Sequence, residues 1–132
     1  MAKATQLCVA LENQPGTLAK LCGVLKRAKV NIEAISVVDN VDCAWVRMVA
    51  SPANAAADAL KKAGYNACKQ RVLTVKTMNK PGEMEAIASK LAKAKVNINY
   101  VYGTGAACKD PECECSVLVF GVSDVDVAEK AL

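Results

Sequence analysis

The sequence predicts an α+β chain of two βαββαβ units in tandem, residues 1–70 and 71–132, the second lacking its final strand. Three observations carry this. Asn13-Gln14-Pro15-Gly16 recurs as Asn79-Lys80-Pro81-Gly82, a shift of 66 residues. Lys29-Val30-Asn31-Ile32 recurs at the same shift as Lys95-Val96-Asn97-Ile98, and nine positions from Asn13 to Ile32 are identical to their counterparts. Self-similarity of this kind marks a duplicated supersecondary unit. Each copy also passes from two-residue alternation to helical spacing and back, which reads as strand, helix, strand.

Gln6 to Leu11 alternates, with Leu7, Val9 and Leu11 on one face, and is a strand. Pro15 suits the first turn of a helix, where its missing N–H is harmless. Leu18, Leu21, Cys22, Leu25 and Ala28 then form a helical stripe. Ile32 to Val38 and Cys43 to Ala50 read as a hairpin about the turn-rich Asp39-Asn40-Val41-Asp42. Ser51 is expected to cap the next helix, with Pro52 in its first turn and Gly64 as its stop. Tyr65 to Arg71 is the last strand of the unit, and Asn66 to Thr77 runs on as one extended segment into the second unit.

The second unit repeats the order, with Leu73 and Val75 matching Leu7 and Val9, and Met84, Ile87, Ala88, Leu91 and Ala94 matching the helical stripe. Ser51 then answers Ser123, a shift of 72, so six residues are inserted about the second hairpin tip. The last helix, Val125 to Leu132, is expected to start at a capping-box-like Ser123 and Asp126. No counterpart of Tyr65 to Arg71 follows, which would leave Leu73 to Thr77 as an open edge for a second subunit to cover. Both faces of Cys43 to Ala50 and Ser116 to Val122 are apolar, so both should be covered.

A chain of 132 residues that is 53% apolar can bury a real core, which excludes disorder. Its apolar runs are too short for a membrane span, and Met1 to Gln6 lacks a signal-peptide pattern, so a cytoplasmic protein is expected. The net charge of +4 comes from scattered lysines that read as a solubilising face rather than a nucleic-acid patch. Neither Gln6 to Leu11 nor Val72 to Thr77 carries the aromatics on which RNA-recognition motifs stack bases. The absence of histidine removes His-based nucleophile systems and imidazole acid–base chemistry. No acid–base–nucleophile cluster is visible, so neither an enzyme nor a cofactor is expected.

Of the seven cysteines, Cys22 sits on a helix core stripe, and Cys8, Cys43 and Cys68 are scattered over strands as structural thiols. Cys108, Cys113 and Cys115 cluster in and beside the insertion. Three readings stay open there: free thiols, a cross-strand disulfide, or a soft-metal site that would make the chain a metal or thiol-redox sensor.

The Asn-x-Pro-Gly turn, the amphipathic helix after it and the Val-Asn-Ile strand opening, in order and duplicated, resemble a tandem ACT-domain protein over nearly the whole chain. That resemblance implies ferredoxin-like units acting as an amino-acid-binding regulatory module. The reading taken from it is an effector bound between paired domains of a homodimer, with output through association and a metabolic enzyme as the candidate partner. By the serine-binding members, it places the effector on Asn13 and Asn31 in one unit and on Asn79 and Asn97 in the other. Those members also carry a histidine two residues before the turn asparagine. Leu11 and Thr77 stand there, so the pattern implies an amino acid without naming serine.

The turn residues suit that ligand chemically. Asn13, Gln14, Pro15 and Gly16, and likewise Asn79, Lys80, Pro81 and Gly82, leave backbone N–H groups at a helix N-terminus, which favours a carboxylate. The asparagine amides of Asn31 and Asn97 donate to a carboxylate and accept from an ammonium with no net charge to desolvate. The same turn also makes an ordinary helix start, with Asn13 bonding its own backbone.

Overall fold

The computed structural model describes residues 2–104 and 115–132. In chain order the elements are β1 (Ala2–Glu12), α1 (Thr17–Arg27), β2 (Asn31–Asn40), β3 (Cys43–Ser51), α2 (Ala53–Lys62), β4 (Ala67–Met78), α3 (Glu83–Lys93), β5 (Ile98–Gly103), β6 (Cys115–Val122) and α4 (Val125–Ala131). They form two compact units, one of Thr5–Gln70 and one that joins Met1–Ala4 to Arg71–Leu132. The expected order is present among the described residues: β1-α1-β2-β3-α2-β4, then α3-β5-β6-α4.

In the first unit the strand order is β2-β3-β1-β4. β1 and β2 are both antiparallel to β3, so they run parallel to each other, joined by the crossover helix α1. Leu7, Val9 and Leu11 of β1 share the helix-covered face with Val46 and Met48 of β3, and pack on Leu21, Leu25, Ala56 and Leu60. Leu18, expected on the helical stripe, is instead partly exposed. The opposite sheet face buries Cys8, Ala34, Val49 and the polar Gln6, whose Nε2 donates to Gln70 Oε1 at 2.9 Å. Burial pushes the Cys8 thiol pKa up, which keeps it protonated and unreactive. Toward the hairpin tip the same face opens: Trp45 is 41% exposed and its cross-strand partner Val38 is 45% exposed.

Helix starts differ from expectation. Pro15 and Pro81 lie before their helices, because Gly16 (φ 88°) and Gly82 (φ 92°) take left-handed conformations that no helical residue can hold. Ser51 ends β3 instead of capping α2, and Pro52 occupies the N-cap position with extended backbone. At α4 the cap is Asp124, whose side chain accepts from Val127 N at 3.0 Å, while Ser123 Oγ accepts from Asn97 N. At Ser51 the preceding strand runs on through the residue expected to cap, and at Ser123 the hydroxyl is taken up by Asn97.

Three helices end in one geometry. Val30 N reaches back to Leu25 O, Tyr65 N to Leu60 O and Val96 N to Leu91 O, each at 3.0 Å or less, closing a Schellman turn. The left-handed residue inside that turn is Gly64 after α2 but Lys29 (φ 58°) after α1 and Lys95 (φ 58°) after α3. A side chain in that conformation costs roughly 1–2 kcal/mol that glycine avoids. A few residues later both edge strands slip register, between Ile32 and Ala34 and between Ile98 and Tyr100. Glu33 and Asn99 are the extra residues, so the β-bulge is duplicated too.

In the second unit the order is β1-β4-β6-β5. Leu73, Val75, Ile87, Leu91, Val96, Phe120 and Ala128 form its core. At Thr74 the edge expected to await a second subunit is met by the first residues of β1. β1 begins at Ala2, four residues before the alternation does, and Thr74 Oγ1 donates to the Ala2 carbonyl at 3.1 Å. Asp126 of α4 fastens that segment, accepting Lys3 Nζ at 2.7 Å and Arg71 Nη2 at 3.0 Å.

Those two cations, Lys3 first, hold the Asp126 pKa at about 2, below its ordinary 3.8. A pKa depressed in the folded state stabilises the protein above the unfolded value and loses that contribution as pH falls through the folded one. Asp126→Asn should therefore lower the urea midpoint at pH 7, and the gap from wild type should close between pH 4 and pH 2. High salt should narrow it as well, since the cluster is exposed. A gap that persists undiminished at pH 2 would show that charge is not its cause.

Candidate functional site

Each turn is built by a strand running off its sheet into a glycine-initiated helix. Neither α1 nor α3 has a side-chain cap, and Asn13 does not bond its own backbone. Instead its Nδ2 donates to Asp39 Oδ1 at 2.8 Å and to the Val41 carbonyl at 3.1 Å, and its backbone N–H donates to the Asp42 carbonyl. The turn is thereby pinned to the β2–β3 hairpin tip. Gln14 contributes its carbonyl, which accepts from the Thr17 hydroxyl at 3.0 Å. Asn13, Gln14, Pro15 and Gly16 are all exposed.

The second turn has the same backbone but different ties. Lys80 Nζ lies 3.4 Å from Glu83 Oε1, and Glu83 Oε2 accepts the Thr77 hydroxyl at 2.8 Å. These contacts, the hydroxyl first, hold the Glu83 carboxyl below its usual range. Asn79, Pro81 and Gly82 are exposed.

Asn31 opens the edge strand β2, Asn97 immediately precedes the edge strand β5, and both are exposed. Asn97 exchanges bonds with Ser123, and its Nδ2 donates to Asn99 Oδ1 at 2.8 Å. Within a unit the turn asparagine and the strand asparagine are not brought together. Asn13 bonds Asp39, eight residues along β2 from Asn31, which at about 3.3 Å per residue separates them by roughly 25 Å. In the second unit Asn97 bonds Ser123, whereas Asn79 follows Met78, the partner of Cys115 at the far end of β6. The arrangement was implicit in the strand–helix–strand order: parallel strands put the end of the first and the start of the second at opposite ends of the sheet.

Beside the turns lie two equivalent clefts of about 350 and 340 Å³. Leu11, Glu12, Thr17 and Lys20 line one, and Thr77, Met78, Glu83 and Ala86, the same positions shifted by 66, line the other. Neither contains a candidate asparagine. Asn31 borders a third cavity of about 450 Å³ with Lys26 and Lys29. The left-handed backbone of Lys29 follows from the Schellman turn, and Asp39 and Val41 become partners of Asn13 through the hairpin packing; residue spacing signals neither.

Cys108 and Cys113 lie outside the described residues. Cys115 is disulfide-bonded, so its sulfur is not a thiolate ligand. Among the described residues no three potential ligands cluster as a metal site, and no helix is long and apolar enough to cross a membrane.

The model of the ACT domain pair family matches residues 2–130. A protein of Bacteroides thetaiotaomicron has the same fold at TM-score 0.88 and 26% identity, over 98% of this chain and 86% of its own. The regulatory subunit of aspartate kinase from Thermus thermophilus superposes at TM-score 0.68 and 17% identity, over 100% of this chain and 93% of its own. Its counterpart from Thermus flavus does so at TM-score 0.60 and 17% identity, over 99% and 94%. No curated protein matches by sequence. The duplicated turn, the ferredoxin-like units and a family match across almost every residue agree: this chain belongs to the ACT domain pair family.

Proposed function

We propose that this protein is a non-catalytic, cytoplasmic regulatory module that binds a free amino acid and signals through association with a partner such as a metabolic enzyme. The observation that carries the reading is the pair of equivalent turns, each an uncapped helix N-terminus behind a left-handed glycine, in a chain of the ACT domain pair family. Solved structures of like fold include regulatory subunits of aspartate kinase, which is consistent with a regulatory output.

The effector lies between two copies of the chain. Asn13 and Asn31 are too far apart to share a ligand within one unit. An antiparallel β2 from a second copy brings Asn31 of that copy to the Asn13–Gly16 turn of the first. β2 suits this role as a ten-residue edge strand with Ile35, Val37 and Val38 exposed. The Asn79–Gly82 turn and Asn97, just before the edge strand β5, repeat the arrangement in the second unit. Ligand bridging two copies favours the paired state, which the partner senses.

A thermal-shift screen of the common amino acids tests this. At 100 times its Kd a bound effector adds about 2.7 kcal/mol, several degrees of Tm. The Asn13→Ala, Asn79→Ala double variant should fold and lose that shift. A shift that survives in the double variant moves the site elsewhere.

A further inference from the structure

Lys29 and Lys95 occupy a position where the backbone prefers glycine. The chain shows as much, since Gly64 fills the same place in the Schellman turn that ends α2. A constraint from the fold would put glycine at all three positions. Lysine stands at two of them, in both cases two residues before the strand asparagine of the candidate site.

In the first unit Lys29 borders the open cavity of about 450 Å³ together with Lys26, Cys22 and Asn31, over an apolar floor of Leu25 and Val30. No acidic residue lines it. Among the described residues neither Lys26 nor Lys29 takes part in an ion pair. The bulge at Glu33 breaks the regular ladder just beyond Asn31, so the edge strand there is shaped for something other than continuous pairing. Two lysines and an asparagine lining an open hollow have the chemistry to receive a carboxylate.

We propose that the effector is an acidic amino acid of the aspartate or glutamate class, whose side-chain carboxylate is held by Lys26 and Lys29. This rests on the amino-acid-binding reading above and adds its chemical class. The α-carboxylate meets the turn N–H groups, Asn31 orients the ammonium, and the second carboxylate enters the lysine-lined hollow. Lys95 repeats the role in the second unit. There Ala92 replaces Lys26 and Ala88 replaces Cys22, so that site is the weaker of the two.

The test compares L-aspartate and L-glutamate with L-asparagine and L-glutamine, which have nearly the same shape without the charge, by titration calorimetry on the full chain. The acids should bind at least about tenfold more tightly than the amides. In the Lys29→Gly, Lys95→Gly double variant that preference should fall below about threefold, while the Tm without ligand rises because glycine suits the left-handed turn. Lys26→Gln, which leaves the turn untouched, should reduce the preference on its own. Lysines with only a structural role would give the higher Tm and an unchanged acid preference, which overturns the proposal. Amides binding as tightly as acids overturn it too and leave the amino-acid reading standing. Failure of every amino acid to bind overturns both.

Discussion

Phe120→Ala should cost about 3–5 kcal/mol, the largest loss expected of any single substitution considered for this chain. Phe120 is the only phenylalanine and is fully buried on β6, opposite Leu73 of β4. Its neighbours in the core of the second unit are mostly smaller: Val75, Val96 and Ala128 beside Leu73, Ile87 and Leu91. Removing the ring leaves a void that backbone fixed in a sheet cannot close, so the transfer loss and the cavity cost add. Against a typical total stability of about 5–15 kcal/mol, that is enough to unfold a substantial fraction of molecules. Phe120→Leu, which keeps most of the volume, should cost less than about 1.5 kcal/mol. Trp45→Ala, although it removes a larger ring, should cost less than Phe120→Ala because that side chain is 41% exposed. Urea midpoints at unchanged m-value check the series. A Phe120→Ala midpoint within error of Trp45→Ala would mean the second core is not packed as described.

Gly121→Ala should cost about 1–3 kcal/mol, a large effect for one methyl group. The Tyr100 ring lies across the Gly121 backbone on the neighbouring strand, and a Cβ added there would fall inside it. An aromatic side chain laid over a cross-strand glycine compensates for the side chain that glycine lacks. The ring would have to swing aside, breaking its stacking on Tyr102, whose centroid is 6.4 Å away at an interplanar angle of 21°. In a Tyr100→Ala background the same substitution should be nearly neutral, giving a coupling energy above about 1 kcal/mol in the double-mutant cycle. Equal costs in both backgrounds would locate the strain elsewhere.

Much of this architecture was readable from the residues. The 66-residue repeat set the unit count, and two-residue alternation placed the strands. Ala44, Val46 and Met48 face the helices, opposite Trp45 and Val49, as two-residue alternation requires. The errors fell at element ends. Ala2-Lys3-Ala4-Thr5 shows little apolar alternation, yet it is strand, because the open side of β4 offers it backbone partners. Pro15 and Ser51 have the chemistry of a helix start, but a left-handed Gly16 and the continuation of β3 set the starts elsewhere.

Periodicity and repetition are local properties, carried by side-chain type and spacing, so the order of elements and their duplication were decided within the chain itself. Which residues meet is a property of strand direction, register and backbone handedness, and these exist only after the elements pack. Packing tied Asn13 to Asp39 and left Asn31 roughly 25 Å away, so the two candidate asparagines of a unit do not meet. It also set Lys29 and Lys95 in glycine's place, because each Schellman turn demands a left-handed residue whatever side chain the sequence supplies.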